Sequence, residues 1–184
     1  ENGGIIIEDD YNGELRYKAR PIPAMQSMGA GEHIVYIGSF SKLLLPSVRV
    51  SYMALPPTLL QIYLKRAKHY NQTASKIEQL ALSDYIKSGQ LERHLRRLRK
   101  LYLKKSTVLI KSLKKTFGNN IEILLEETFL SVILTVKTKY SSVELCTMAE
   151  KIGVKIMPVK NFNNIDGTAK VMLGFAGIPI DDIK

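Results

Sequence analysis

The sequence holds a single cysteine, Cys146, in 184 residues, which excludes a disulfide framework and makes a reduced, buried thiol the expected state, not a nucleophile. Its three histidines are scattered, without the spacing a metal centre needs. No apolar run approaches the roughly eighteen residues of a membrane span, and no signal-peptide order opens the chain, so no membrane partner is expected and the expected address is the cytoplasm. Acidic residues are missing from the whole stretch Arg93 to Lys115. Internal repeats and low-complexity segments are absent as well.

What is present suits a folded chain. Apolar residues make up 45% of the sequence, enough to bury a core in one domain or two small ones. The net charge of +10 is concentrated where the acids are missing, with ten lysines and arginines between Arg93 and Lys115. Leu91, Leu95, Leu98, Tyr102, Leu109 and Leu113 recur at helical spacing through the same stretch, so the basic residues form the opposite face of one long helix. Such a face is usually solvated; an acidic partner or nucleic acid is the second reading, weakened because no aromatic residues that could stack on bases are interleaved with the basic ones. The chain opens without methionine on Glu1-Asn2-Gly3-Gly4 and closes on Asp181-Asp182-Ile183-Lys184, as if a helix were beginning. It therefore reads as a fragment, with some apolar faces expected to belong against absent parts.

Short β-branched runs at Ile5 to Ile7, Ile34 to Gly38 and Val48 to Ala54, fenced by Asn12-Gly13, Gly29-Ala30-Gly31 and Pro56-Pro57, predict buried strands of a larger sheet. Apolar spacing predicts helices over Thr58 to Lys68, Ala74 to Lys87 and Leu91 to Phe117, the last stopped by Gly118-Asn119-Asn120. Strands at Ile121 to Leu125, Phe129 to Val136, Val154 to Pro158 and Lys170 to Ala176, with a helix from Ser141 to Ile152, predict an α+β unit. The expected division is residues 1–95 and 96–184, with the boundary inside the long helix 91–117.

Two of these strands end in chemistry. Ile5 to Ile7 runs into Glu8-Asp9-Asp10-Tyr11, and Ile34 to Gly38 runs into Ser39-Phe40-Ser41-Lys42, with Arg49 beyond. A lysine closing a buried run is either at the surface or reactive, because a buried ammonium without a partner is costly. Strand ends that gather such groups mark the ligand crevice of an open α/β sheet. Pyridoxal phosphate uses all of them: a lysine amine for its aldehyde, a carboxylate for its ring nitrogen, a phenol for its 3-oxygen, hydroxyls and an arginine for its phosphate. Taken singly, Ser-Xaa-Ser-Lys is a common string, and an acidic pair after a strand more often caps a turn; their joint order at strand ends points to the cofactor.

The stretches IIIEDDYNGELRY, YIGSFSKLLLPSVRVSYMALP and HLRRLRKLYLKK resemble the effector domain of MocR-type regulators of the GntR family, whose fold is that of fold-type I aminotransferases. Arg16-Tyr17, Pro46, Gln79 and Ala81-Leu82 follow in the family's order. The resemblance implies an α/β fold: the second half of the aminotransferase large domain, with a mainly parallel sheet, joined by a long helix to an α+β small domain. It implies that Lys42 forms the Schiff base with pyridoxal phosphate, that Asp9 pairs with the pyridine nitrogen, with Asp10 as the alternative, and that Tyr11 donates to the phenolic oxygen. Ser39, Ser41 and Arg49 hold the phosphate in this scheme. The implied function is effector sensing by a transcriptional regulator, with an amino acid or amine as effector, a homodimer as the assembly, and DNA bound through a winged helix ahead of Glu1. A turnover aminotransferase is the alternative, and an interaction domain that has lost the cofactor a third reading. Two departures from aminotransferases weigh against turnover. Met172 stands in Lys170-Val171-Met172-Leu173-Gly174-Phe175, where many carry a carboxylate-gripping arginine, and Phe129-Leu130-Ser131 stands where relatives often have Gly-Leu-His.

Overall fold

Proline and glycine punctuate the chain where its elements change. Pro57 occupies the start of helix α1 (Pro57–Ala67), where its fixed φ is already helical and its missing N–H costs nothing. Gly89, at φ +69°, takes the left-handed step after α2 (Lys76–Lys87) that lets the chain turn at once into the 28-residue helix α3 (Gln90–Phe117). The computed structural model describes residues 4–10, 13–17, 22–29, 31–45, 47–124, 130–159 and 167–183. The chain divides into two units, Glu1–Leu98 and Arg99–Lys184.

The first unit carries a three-stranded sheet in the order β1-β2-β3, formed by β1 (Ile6–Asp10), β2 (Ile34–Ser39) and β3 (Ser51–Ala54). β1 runs parallel to β2 and β3 antiparallel to it. Leu15, Ile34, Leu43, Val50 and Pro56 form its buried centre. The strand expected over Val48 to Ala54 starts only at Ser51, because Val48 and Val50 give their carbonyls to the preceding loop, to Ser41 Oγ and Phe40 N. The expectation of a buried first strand is corrected: Ile5, Ile6 and Ile7 are 46%, 50% and 66% exposed. Among the described residues β1 is the outer strand of this sheet, with β2 as its hydrogen-bonded neighbour.

The second unit is built on a four-stranded antiparallel sheet in the order β4-β5-β7-β6. Its strands are β4 (Ile121–Leu124), β5 (Ser131–Lys137), β6 (Met157–Pro158) and β7 (Thr168–Gly174). Helix α4 (Ser142–Lys151) packs against β6 and β7. It starts at a capping box in which Ser141 Oγ accepts from Glu144 N and the Glu144 carboxylate accepts from Ser141 N, which also holds that carboxyl below its usual range. Val132, Leu134, Ala169, Val171 and Phe175 are the core. The expected strand over Val154 to Pro158 shrinks to two residues. Cys146 is half-buried and burial pushes its thiol up, the direction that suppresses the thiolate.

The solvated basic face of α3 needs one correction. Lys105 is only 7% exposed, and its ammonium donates to the Ala176 carbonyl at 2.7 Å. Lys105 lies three residues after Tyr102 and four before Leu109, on the helix stripe that faces inward. Its aliphatic stem packs there while its head finds a carbonyl. Among the described residues, no helix is long and apolar enough to cross a membrane.

Candidate functional site

Ser39 closes β2, and the chain then folds over itself before β3. Phe40 N donates to Val50 O at 3.0 Å, Leu44 N to Phe40 O at 3.0 Å, and Ser41 Oγ to Val48 O at 2.7 Å. Leu43, 2% exposed, anchors this loop in the core. Its carbonyl accepts from His94 Nε2–H at 3.0 Å, which places the proton on that nitrogen, since a carbonyl cannot donate. The loop is thus fixed at both ends and in the middle, and Lys42 sits between two fixed points.

The result is a cleft of about 330 Å³ lined by Ser39, Ser41, Lys42, Arg49, Val50 and Ser51. Four of the residues singled out from the sequence therefore meet in one place. Two cations and three hydroxyls line the cleft without a carboxylate among them, a donor set suited to an anion such as phosphate. Lys42 and Arg49 are both exposed to solvent. Ser41 has committed its only proton to Val48 O, so in this arrangement its oxygen can only accept, while Ser39 Oγ accepts from Ser41 N at 3.3 Å and keeps its proton available. A second cavity of about 410 Å³ is lined by Leu44, Leu45, Val48, Ala81 and Leu82 together with Glu78, Tyr85 and His94, and it holds no lysine or arginine.

Asp9 does not line the cleft, but strand register relates the two. Asp9 is opposite Ile37, and Ser39 is opposite Ser51. Paired residues share a face and alternate residues return to it, so Asp9, Ile37, Ser39 and Ser51 lie on one face. Asp10 lies on the other, with Tyr36, Gly38 and Tyr52. There, Asp10 Oδ1 accepts from Gly13 N at 2.7 Å and Oδ2 accepts from Tyr36 Oη–H at 2.9 Å. Glu8, on the same face as Asp10, accepts from Met25 N and Gln26 N at 2.9 and 3.2 Å. The Asp9 carboxylate makes no hydrogen bond or ion pair among the described residues. Tyr11 and Pro46 lie outside the described residues.

Sequence reasoning did not single out Ser51 or the tyrosine layer behind the sheet. Tyr52 donates to Glu14 Oε1 at 3.2 Å, and its ring lies 5.1 Å from Phe40 and 6.1 Å from Tyr36. Burial, followed by the Asp10 carboxylate that takes its hydrogen bond, holds the Tyr36 phenol protonated far above its usual range. Tyr52 is shifted the same way, by burial first and Glu14 next. The Tyr52 ring lies over Gly38, where a Cβ would run into the ring. Gly38→Ala is therefore expected to lower stability by about 1–3 kcal/mol, the scale of overpacking. In chemical denaturation its cost should fall in a Tyr52→Ala background; an equal cost in both would refute the close approach.

No family model matches the chain. The uncharacterized HTH-type transcriptional regulator YdeL of Bacillus subtilis is 40% identical over 185 residues, which are 100% of this chain and 40% of YdeL. The probable rhizopine catabolism regulatory protein MocR of Rhizobium meliloti is 29% identical over 174 residues, 94% of this chain and 35% of that protein. The chain is similar to HTH-type transcriptional regulators along its whole length, and to MocR along nearly all of it. It spans about 40% of the length of the curated relatives it matches first. The fold of this chain is that of fold-type I aminotransferases. The α-aminoadipate aminotransferase LysN of Thermus thermophilus, solved with N-(5'-phosphopyridoxyl)-L-leucine, superimposes with a TM-score of 0.78 at 23% identity, over 97% of this chain and 47% of LysN. The kynurenine aminotransferase of Pyrococcus horikoshii gives 0.76 at 24% identity, over 97% of this chain and 45% of that one.

Proposed function

We propose that this chain forms part of a pyridoxal-phosphate-binding, effector-sensing domain of a MocR-type transcriptional regulator, with an amino acid or amine as its effector. The observation that carries the reading is the cleft itself, which gathers Ser39, Lys42, Arg49 and Ser51 at the end of β2 while register puts Asp9 on the same sheet face. These residues fit the group. Arg49 and the hydroxyls of Ser39 and Ser51 match a phosphate's oxygens, with Ser41 able to join by giving up its bond to Val48 O. Lys42 would hold the aldehyde carbon, and Asp9 would keep a proton on the ring nitrogen. When bound, the cofactor supplies an electron sink for bonds at the amine-bearing carbon of the effector.

The chain's own part is then to bind, orient and hold protons. Arg49 presents a fixed fork of donors, which suits a phosphate better than a flexible ammonium does. The fixed loop restricts the positions open to Lys42, lowering the entropy lost when it engages a ligand. Sensing is favoured over turnover because the relatives at 40% and 38% identity are HTH-type regulators. By the sequence resemblance, Met172 also stands where many aminotransferases carry an arginine, and a thioether cannot grip a carboxylate as a guanidinium does. In this reading the protein is cytoplasmic, acts as a homodimer, and touches DNA through a helix-turn-helix part outside this chain.

Titrating the intact protein with pyridoxal phosphate tests the reading. Visible absorbance should rise to saturation, and borohydride reduction followed by peptide mapping should place the label on Lys42. Adding amines should change both the spectrum and operator DNA affinity without stoichiometric release of a 2-oxo acid. A label confined to other lysines, or none, removes the cofactor reading; continuous 2-oxo acid release makes the protein an enzyme.

A further inference from the structure

The run Glu8-Asp9-Asp10 offers three consecutive carboxylates to a sheet edge, and a slip of one residue would exchange which of them faces the cleft. Hydrophobic patterning resists that slip only weakly. Ile5, Ile6 and Ile7 are identical, so moving β1 by one position exchanges isoleucine for isoleucine at up to two of its paired places. Backbone pairing to β2 is equally indifferent, since every one of these residues carries the same N–H and C=O and can take its neighbour's place in the ladder.

The side chains of the outer two acids are not indifferent. Glu8 accepts from the backbone N–H groups of Met25 and Gln26, and Gln26 Nε2 in turn donates to Ala54 O on β3 at 3.3 Å. Asp10 accepts from Tyr36 on β2 and from the backbone N–H of Gly13. A Cβ at residue 13 would collide with the Asp10 carboxylate, so glycine at that position lets Asp10 approach closely enough for the bond. Both anchors lie on the face away from Ser39 and Ser51. We infer that Glu8 and Asp10 are positioning residues: they fix the register of β1 so that the middle acid, Asp9, alone is presented on the cleft face. The register claim stands on these contacts; its consequence for cofactor binding rests on the function proposed above.

Cross-linking reads the register directly. In the intact protein carrying Cys146→Ser, Ile7→Cys with Val35→Cys places two thiols opposite each other, whereas Ile6→Cys with Val35→Cys places them one step out and on opposite faces. A short thiol-bridging reagent should favour the first pair about tenfold or more, the weight of one hydrogen bond to a charged group. Glu8→Ala/Asp10→Ala should bring the two yields close to parity. If that variant does not fold, Glu8→Gln/Tyr36→Phe removes the Glu8 charge and the phenol donor at nearly constant volume and should lower the preference too. An undiminished preference in the folded variant overturns the inference. The readout needs no cofactor, so a parent that keeps its register yet binds no pyridoxal phosphate defeats the proposed function alone.

Discussion

Lys42→Ala is expected to abolish the visible absorbance that pyridoxal phosphate gives in the intact protein, together with borohydride-stable labelling. The amine of Lys42 is the nucleophile that the cleft offers to an aldehyde, because the other residues lining it are serines, a valine and Arg49, and a guanidinium stays protonated. The loss should be covalent and not general. Ser39, Ser51 and Arg49 remain in place, so the phosphate end can still be held and weak, colourless binding should persist. Lys42→Arg sharpens the test: it restores a cation at this position but no reactive amine, and should be as colourless as alanine. Arg49→Ala should show the reverse, keeping the colour at saturation but needing more cofactor to reach it. A Lys42→Ala protein with the parent's spectrum would show that another lysine carries the chemistry.

The strand ends were legible because their chemistry interrupts an apolar run. Ile34 to Gly38 cannot continue through Ser39-Phe40-Ser41-Lys42 as a buried strand, and the structure ends β2 at Ser39. The helices were legible because glycine stops them: Gly89 and Gly118 both adopt positive φ, which other residues resist. Ser51 was not legible, since its place in the cleft comes from standing opposite Ser39 across a loop of eleven residues, 40–50, and no local pattern reports register. The same holds for Tyr52, which crosses over Gly38 to reach Glu14. Lys105 was misread with the other basic residues because charge outweighed position; its spacing from Tyr102 and Leu109 already placed it on the inward stripe. The exposure of Ile5 to Ile7 was missed because composition marks a residue as apolar without saying what stands beside it.

Asp9→Asn is expected to leave a protein that binds pyridoxal phosphate yet reacts with amines roughly 100-fold more slowly or worse, the scale on which losing one electrostatic contact in a transition state acts. Binding should survive because Lys42, Arg49 and the serines lie in the cleft itself, and Asp9 does not line it. Reaction should suffer because a carboxylate holds a proton on the pyridine nitrogen and an amide does not. Without that proton the ring draws electrons from the amine-bearing carbon far less well. Asp10→Asn is the control. Its side-chain oxygen can still accept from Gly13 N, Glu8 still anchors β1 through Met25 N and Gln26 N, and Asp10 faces Tyr36 on the other side of the sheet, so its effect should be much the smaller of the two. Measured by stopped-flow as the rate at which an amine converts the bound cofactor's spectrum, the two variants should separate clearly. If Asp10→Asn slows conversion and Asp9→Asn does not, β1 holds the opposite register in the working protein. If neither slows it, the acids of β1 belong to the turn, and the cleft works without a carboxylate from this strand.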